Sequence, residues 1–278
     1  MLSRSLRPLL AGTSLLLLLA APAAAQRHGP ETGALVIVGG AMRDTAIVNR
    51  FIALAGGPGE ARIVVVPTAG GADTYEQDWG GAAPFREAGA QVTILHTTDP
   101  KVADTPEFAA PLADATGVWF AGGRQWRLAD SYLNTRTHEA FRQVLRRGGV
   151  IGGSSAGASI QADFMVRGDT RGNTVMMGDH QEGLGFIRGV GIDQHLLARN
   201  RQFDMLEVIE AHPELLGIGL DENTGIVVTG DRFEVVGQSY VAIYDPAALA
   251  EAPGRFTLLG PGTVYDLAER SVVPRERR

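Results

Sequence analysis

The chain has 278 residues, of which 45% are hydrophobic and 20% charged, and its formal net charge is −6. That apolar content suits a sizeable core and excludes a disordered chain, while the acidic balance argues against a nucleic-acid binder. Cysteine is absent, which excludes disulfides, thiolate metal sites and a cysteine nucleophile together.

The first 25 residues read as an export signal. Arg4 and Arg7 give a positive start, Leu9 to Ala21 is mostly Leu and Ala, and Ala23-Ala24-Ala25 offers small residues for cleavage after Ala25. The apolar run falls short of the roughly 18–20 residues a membrane span needs, so no stable anchor is expected. The mature chain, from Gln26, has 253 residues. Losing Arg4 and Arg7 takes its charge from −6 to −8.

Short apolar runs then alternate with glycine-rich turns and longer mixed segments. Ala34–Val38 reads as a first strand ending in Gly39-Gly40, and residues 45–54 carry helical spacing. Arg62–Val66, residues 91–95 and Gly117–Phe120 read as strands two, three and four. A helix is predicted over residues 131–146, and a fifth strand over residues 150–153 runs into Ser154-Ser155-Ala156-Gly157. Continuously apolar strands separated by helices predict a mostly parallel sheet with helices on both faces. Residues 225–228 and 232–236 flank Thr229-Gly230-Asp231 as a hairpin, and residues 240–244 and 255–259 are further β candidates. The chain lacks internal repeats and low-complexity linkers. The organisation expected is a signal peptide over 1–25 and a single α/β hydrolytic domain over 26–278, with an antiparallel C-terminal extension. Ligands on such sheets sit at the carboxyl ends of the strands.

Gly153-Ser154-Ser155-Ala156-Gly157 matches the G-x-S-x-G nucleophile elbow, with a strand before it and a helix-compatible stretch, residues 156–164, after it. Such a turn projects the serine hydroxyl above the sheet and points the Ala156 amide to where an oxyanion forms. A serine nucleophile needs a base, and the base an orienting group. Six histidines are available. His28 lies in the tail of the mature chain, His96 ends a strand, and His138 and His212 read as solvated. His180 sits in a turn-rich loop, and His195 follows an apolar stretch and precedes a helix. Spacing alone leaves the base open, with His195 one candidate. The third member is open between Asp221 and Glu222 at the end of the apolar residues 215–220. Metal catalysis has little support, because there is neither an H-E-x-x-H pair nor a cysteine cluster.

Several motifs in order resemble the cyanophycinase and dipeptidase E family of serine peptidases. They are Phe120-Ala121-Gly122-Gly123-Arg124-Gln125, the elbow Gly153 to Ala158, Asp193-Gln194-His195 with Arg199 and Arg201, and Gly219 to Thr224. The likeness spans about residues 34 to 245 and is nearest the cyanophycinase branch. It implies a glutamine-amidotransferase-like α/β fold without a cofactor, a peptide or cyanophycin-like substrate, and compatibility with a homodimer. Carried over, Ser155 is the nucleophile, His195 the general base and Glu222 its orienting group, with Asp221 the fallback. Ala156 and Gly123, or its neighbour Gly122, form the oxyanion hole. Gln125, Asp193, Gln194, Arg199 and Arg201 line the substrate pocket. Asp204 stands where that branch tends to have a third arginine, so the expectation is that it weakens the arginines' grip or pairs with Arg199 or Arg201. Residues 199 and 201 lie about 200° apart on a regular helix, so both reach one pocket only if the segment is irregular.

The reading is therefore an exported serine peptidase cleaving peptide or isopeptide bonds next to aspartate, periplasmic or secreted. An isoaspartyl dipeptidase or an esterase on the same scaffold is the alternative. A non-catalytic binding protein is a third reading, against which the complete Ser, His and Glu set argues.

Overall fold

The computed structural model describes residues 27–274, so the segment read as an export signal lies outside the described residues. The strands are β1 (Ala34–Val38), β2 (Arg62–Val66), β3 (Gln91–Ile94), β4 (Gly117–Phe120), β5 (Val150–Ser154), β6 (Ala162–Phe164), β7 (Ile187–Gln194), β8 (Leu216–Leu220), β9 (Thr224–Thr229), β10 (Arg232–Gly237), β11 (Val241–Tyr244), β12 (Thr257–Leu259), β13 (Val264–Asp266) and β14 (Ser271–Val272). They form a nine-stranded sheet, β14-β13-β10-β9-β1-β5-β4-β2-β3, and a five-stranded sheet, β12-β11-β8-β7-β6.

In the first sheet β1, β5, β4, β2 and β3 pair in parallel. The inner strands β1, β4 and β5 and most of β2 are buried on both faces, whereas the edge strand β3 exposes Gln91 and Thr93. On one face Val36, Val38 and Trp119 pack under the helix Thr45–Leu54, where Phe51 meets Phe85 and Trp119 edge to face. On the other, Leu35, Ile37, Phe120 and Ile151 pack with Leu128, Phe141 and Val144. Those last three belong to helices Gln125–Tyr132 and Arg136–Arg146. The extension is β9, which pairs antiparallel with β1, followed by β10, β13 and β14.

Four features differ from the sequence reading. The helix read over residues 131–146 is two helices, because Asn134 adopts φ +60° and Thr135 starts a new helix by accepting from the His138 amide. The stretch 156–164 forms one helical turn, Ala156–Ser159, and then the strand β6. Ala156, Ala158, Ser159, Ile160, Gln161 and Ala162 are all fully buried, so no solvent face is left for an amphipathic helix. The β candidates at 240–244 and 255–259 leave the main sheet, as β11 and β12, for a second sheet whose β6, β7 and β8 run parallel. His138 is buried rather than solvated, with Nε2 2.8 Å from the Leu184 carbonyl and its pKa lowered by burial.

Candidate active site

The carboxyl ends of strands from both sheets meet at one place, with β5 bringing Ser155, β7 bringing His195, and the β8–β9 turn bringing Glu222. Ser155 takes φ +58°, ψ −113°, a strained conformation for a non-glycine residue, and its amide donates to the Val38 carbonyl at 2.9 Å. The elbow's glycines are steric requirements. A Cβ on Gly153 would lie 2.2 Å from the Gly157 carbonyl oxygen, and one on Gly157 would lie 2.0 Å from that of Phe120.

Ser155 Oγ is 2.8 Å from His195 Nε2, and His195 Nδ1 is 2.7 Å from Glu222 Oε1. An ionised carboxylate only accepts, so Nδ1 carries the proton and Nε2 is left to accept from the serine hydroxyl. Burial lowers the His195 pKa below 6.5, with the positive charges of Arg199 and Arg201 acting in the same direction and Glu222 opposing them. The imidazole is therefore neutral near pH 7, the state a base requires.

Asp221 has different work. One oxygen accepts from the Leu197 and Ala198 amides, at 3.0 and 2.9 Å, and the other accepts from the Ser239 hydroxyl at 2.6 Å. Both oxygens are engaged away from the imidazole. Of the adjacent acidic pair, Glu222 is the one against His195.

Ala156 supplies the first amide of the helical turn, which has no partner within a helix. Gly122 and Gly123 are exposed, and a Cβ on Gly122 would stand 4.0 Å from Ser155 Oγ. Gly123 takes φ +142° against the Ala69 carbonyl.

The five residues expected to line a pocket are differently placed. Gln125 is buried and donates to the Val166 carbonyl at 2.8 Å. Asp193 is fully buried and forked by Arg167 at 2.6 and 2.8 Å. Arg201 is buried and donates to the backbone and side-chain oxygens of Gln194, also buried, at 3.0 and 2.9 Å. Arg199 is exposed. The segment after His195 is a run of turns with Asn200 at φ +54°, and the next helix is Met205–Ala211, so the helix read directly after His195 is absent. Asp204 pairs with Arg167 at 2.6 Å rather than with Arg199 or Arg201.

Two contributors escaped the sequence reading. Arg167 is fully buried and carried no motif. Gly39-Gly40 was read only as a strand end. A Cβ on Gly40 would lie 2.3 Å from His195 Cε1, and one on Gly39 would lie 2.3 Å from the Asp221 carbonyl oxygen. The signal was the doubled glycine at the carboxyl end of β1, where sites on such sheets form.

Comparison with known proteins identifies the family. The model of peptidase family S51 matches residues 35–236. A cyanophycinase from Geminocystis herdmanii (strain PCC 6308) is 33% identical over 224 residues, covering 78% of this chain and 82% of its own length. One from Trichormus variabilis (strain ATCC 29413 / PCC 7937) is 31% identical over 269 residues, covering 88% and 89%. Among solved structures, a peptidase from an acI-B1 Actinobacterium superposes with a TM-score of 0.68 at 24% identity, over 86% of this chain and 98% of its own, a likeness of fold. The chain belongs to peptidase family S51 and is a serine-type peptidase similar to the cyanophycinases.

Proposed function

We propose that the chain is an exported peptidase that hydrolyses peptide or isopeptide bonds next to aspartate, of the kind cyanophycin carries. The observation that carries the catalytic part is the unbroken chain of short contacts from Ser155 through His195 to Glu222.

Ser155 Oγ attacks the scissile carbonyl carbon while its proton passes to His195 Nε2. Glu222 holds the Nδ1 proton and stabilises the imidazolium that forms. The negative charge on the former carbonyl oxygen is received by the Ala156 amide and by amides of the Gly122-Gly123 turn. Collapse breaks the C–N bond, and the amine leaves with the proton from His195. Water then attacks the acyl-enzyme ester, His195 takes its proton, and the free acid leaves as Ser155 regains its hydrogen.

The substrate assignment is supported by the names of the relatives and by the exposed Arg199 beside the relay, a cation suited to an aspartyl carboxylate. Export is supported by the leader-like composition of residues 1–25. No helix among the described residues is long and apolar enough to cross a membrane.

The test is hydrolysis of cyanophycin and of the β-Asp-Arg dipeptide by wild type and by Ser155→Ala. Serine-dependent cleavage of the polymer is the expected result. Cleavage of the dipeptide alone would make the enzyme an isoaspartyl dipeptidase. Turnover retained in a folded Ser155→Ala would refute the mechanism.

A further inference from the structure

We propose that Arg167 is a positioning residue for the relay, holding His195 in place through Asp193 on the chain entering it and Asp204 on the chain leaving it. The inference rests on the reading of Ser155, His195 and Glu222 as the catalytic relay.

Arg167 lies just past the end of β6, between Val166 and Gly168, and is 1% exposed. It takes φ +56°, a conformation that a long side chain adopts only when its surroundings impose it. A buried guanidinium must be matched by partners, and this one is. Its Nε and Nη2 donate to the two oxygens of Asp193 at 2.6 and 2.8 Å, and Nη2 also donates to Asp204 at 2.6 Å. Its Nη1 donates to the Asn173 carbonyl at 3.0 Å.

These partners bracket His195. Asp193 precedes it by two residues, and the Asp193 carboxylate also accepts from the Gln194 amide at 2.8 Å. Asp204 follows the run of turns after His195, and its amide donates to the carbonyl of Arg201, the residue that grips Gln194. One guanidinium thus ties together the chain entering and the chain leaving His195. His195 itself sits at φ +55°, so its ring direction depends on such restraint. Displacement of the ring by about 1 Å would break a relay with contacts of 2.8 and 2.7 Å.

Burial rules out direct contact between Arg167 and substrate, so any effect passes through Asp193 and Asp204. The same contacts account for Asp204. It is the counter-charge of Arg167, and its negative charge is spent there rather than on the exposed Arg199.

The test compares wild type with the double variant Arg167→Met/Asp193→Asn and with Asp204→Asn. The double variant removes both buried charges together and keeps an oxygen for the Gln194 amide. Asp204 is 40% exposed, so its neutralisation leaves the buried fork intact. Hydrolysis of p-nitrophenyl acetate and β-Asp-Arg is measured beside thermal melting. The double variant is expected to melt near wild type with kcat down by about 10²-fold and KM little changed. Asp204→Asn is expected to show a smaller fall in kcat at unchanged KM. Wild-type kcat in the folded double variant would overturn the proposal. If the double variant does not fold, Asp204→Asn decides: lowered kcat supports the proposal, and unchanged kcat, or a change in KM alone, overturns it. Ser155→Ala is run in parallel. Turnover retained there sinks the relay reading itself, whereas turnover lost there with a wild-type-like double variant sinks only the role of Arg167.

Discussion

Asp221 and Glu222 are chemically alike and adjacent, yet their surroundings separate them. Glu222 faces the imidazole at 2.7 Å, while Asp221 fastens the loop after His195 to the Ser239 hydroxyl. Glu222→Gln is expected to lower kcat by about 10³–10⁴-fold, the scale set by the equivalent change in a Ser-His-Asp triad, with the melting temperature nearly unchanged. Asp221→Asn is expected to do the reverse, costing about 1–3 kcal/mol of stability and far less activity. Measuring kcat and thermal melting for both variants separates the roles; equal kinetic losses would reject them. His195 adds a pH signature. The base works only when neutral, so kcat/KM holds above its pKa and falls as pH drops through it. Burial, reinforced by Arg199 and Arg201, lowers that pKa, so the acid limb is expected below pH 6.5. Arg199→Gln removes one of the lowering charges. Its kcat/KM profile should therefore show the acid limb moved to higher pH, and a limb unmoved or shifted down would contradict this.

Local elements follow their sequences where caps and polar faces are present, and depart where burial outweighs periodicity. The helix over residues 45–54 was legible because Asp44 caps it, accepting from the Ala46 amide, and its apolar positions repeat on one face. The break between residues 132 and 136 was also written in Asn134-Thr135, a residue tolerant of positive φ followed by a capping threonine, but the flanking helical spacing masked it. Thr135→Ala is expected to cost about 1–2 kcal/mol, since the hydroxyl accepts from the His138 amide and donates to the Tyr132 carbonyl. Calorimetric melting checks this, and no loss would mean the Arg136–Arg146 helix does not depend on its cap. The strand β6 carried no such signal. Ala162–Phe164 is extended because it pairs with β7, a partner that follows a long excursion in sequence.

At the scale of the whole molecule the relay spans two sheets, with the serine on the first and the histidine and glutamate on strand ends of the second. Alignment across that boundary depends on close backbone contact. The Asn223 amide donates to the Gly40 carbonyl at 2.8 Å, and the His195 amide donates to that of Gly39 at 2.9 Å. Gly39→Ala would press a methyl group against the Leu220 and Asp221 carbonyl oxygens and push the two sheets' loops apart. The expected outcome is a fall in kcat of about 10²-fold or more, larger in proportion than any rise in KM. Steady-state kinetics on the β-Asp-Arg dipeptide measure it, and wild-type kcat would show that the boundary tolerates the added carbon.

The sequence alone determined the parallel core, the C-terminal hairpin and the elbow. Each is encoded over a few consecutive residues, as apolar runs, turn glycines and the Gly153–Gly157 spacing. The motif order also pointed to His195, 40 residues after Ser155, and to Glu222, 27 residues after His195. Only the tertiary structure decided between Glu222 and Asp221, split the strands into two sheets, and buried Asp193 against Arg167 and Gln194 against Arg201. Those outcomes depend on which side chains are brought within hydrogen-bonding distance from far along the chain. The buried Arg167 shows this most clearly, because its three side-chain and backbone partners lie 26, 37 and 6 residues away and no local pattern joins them.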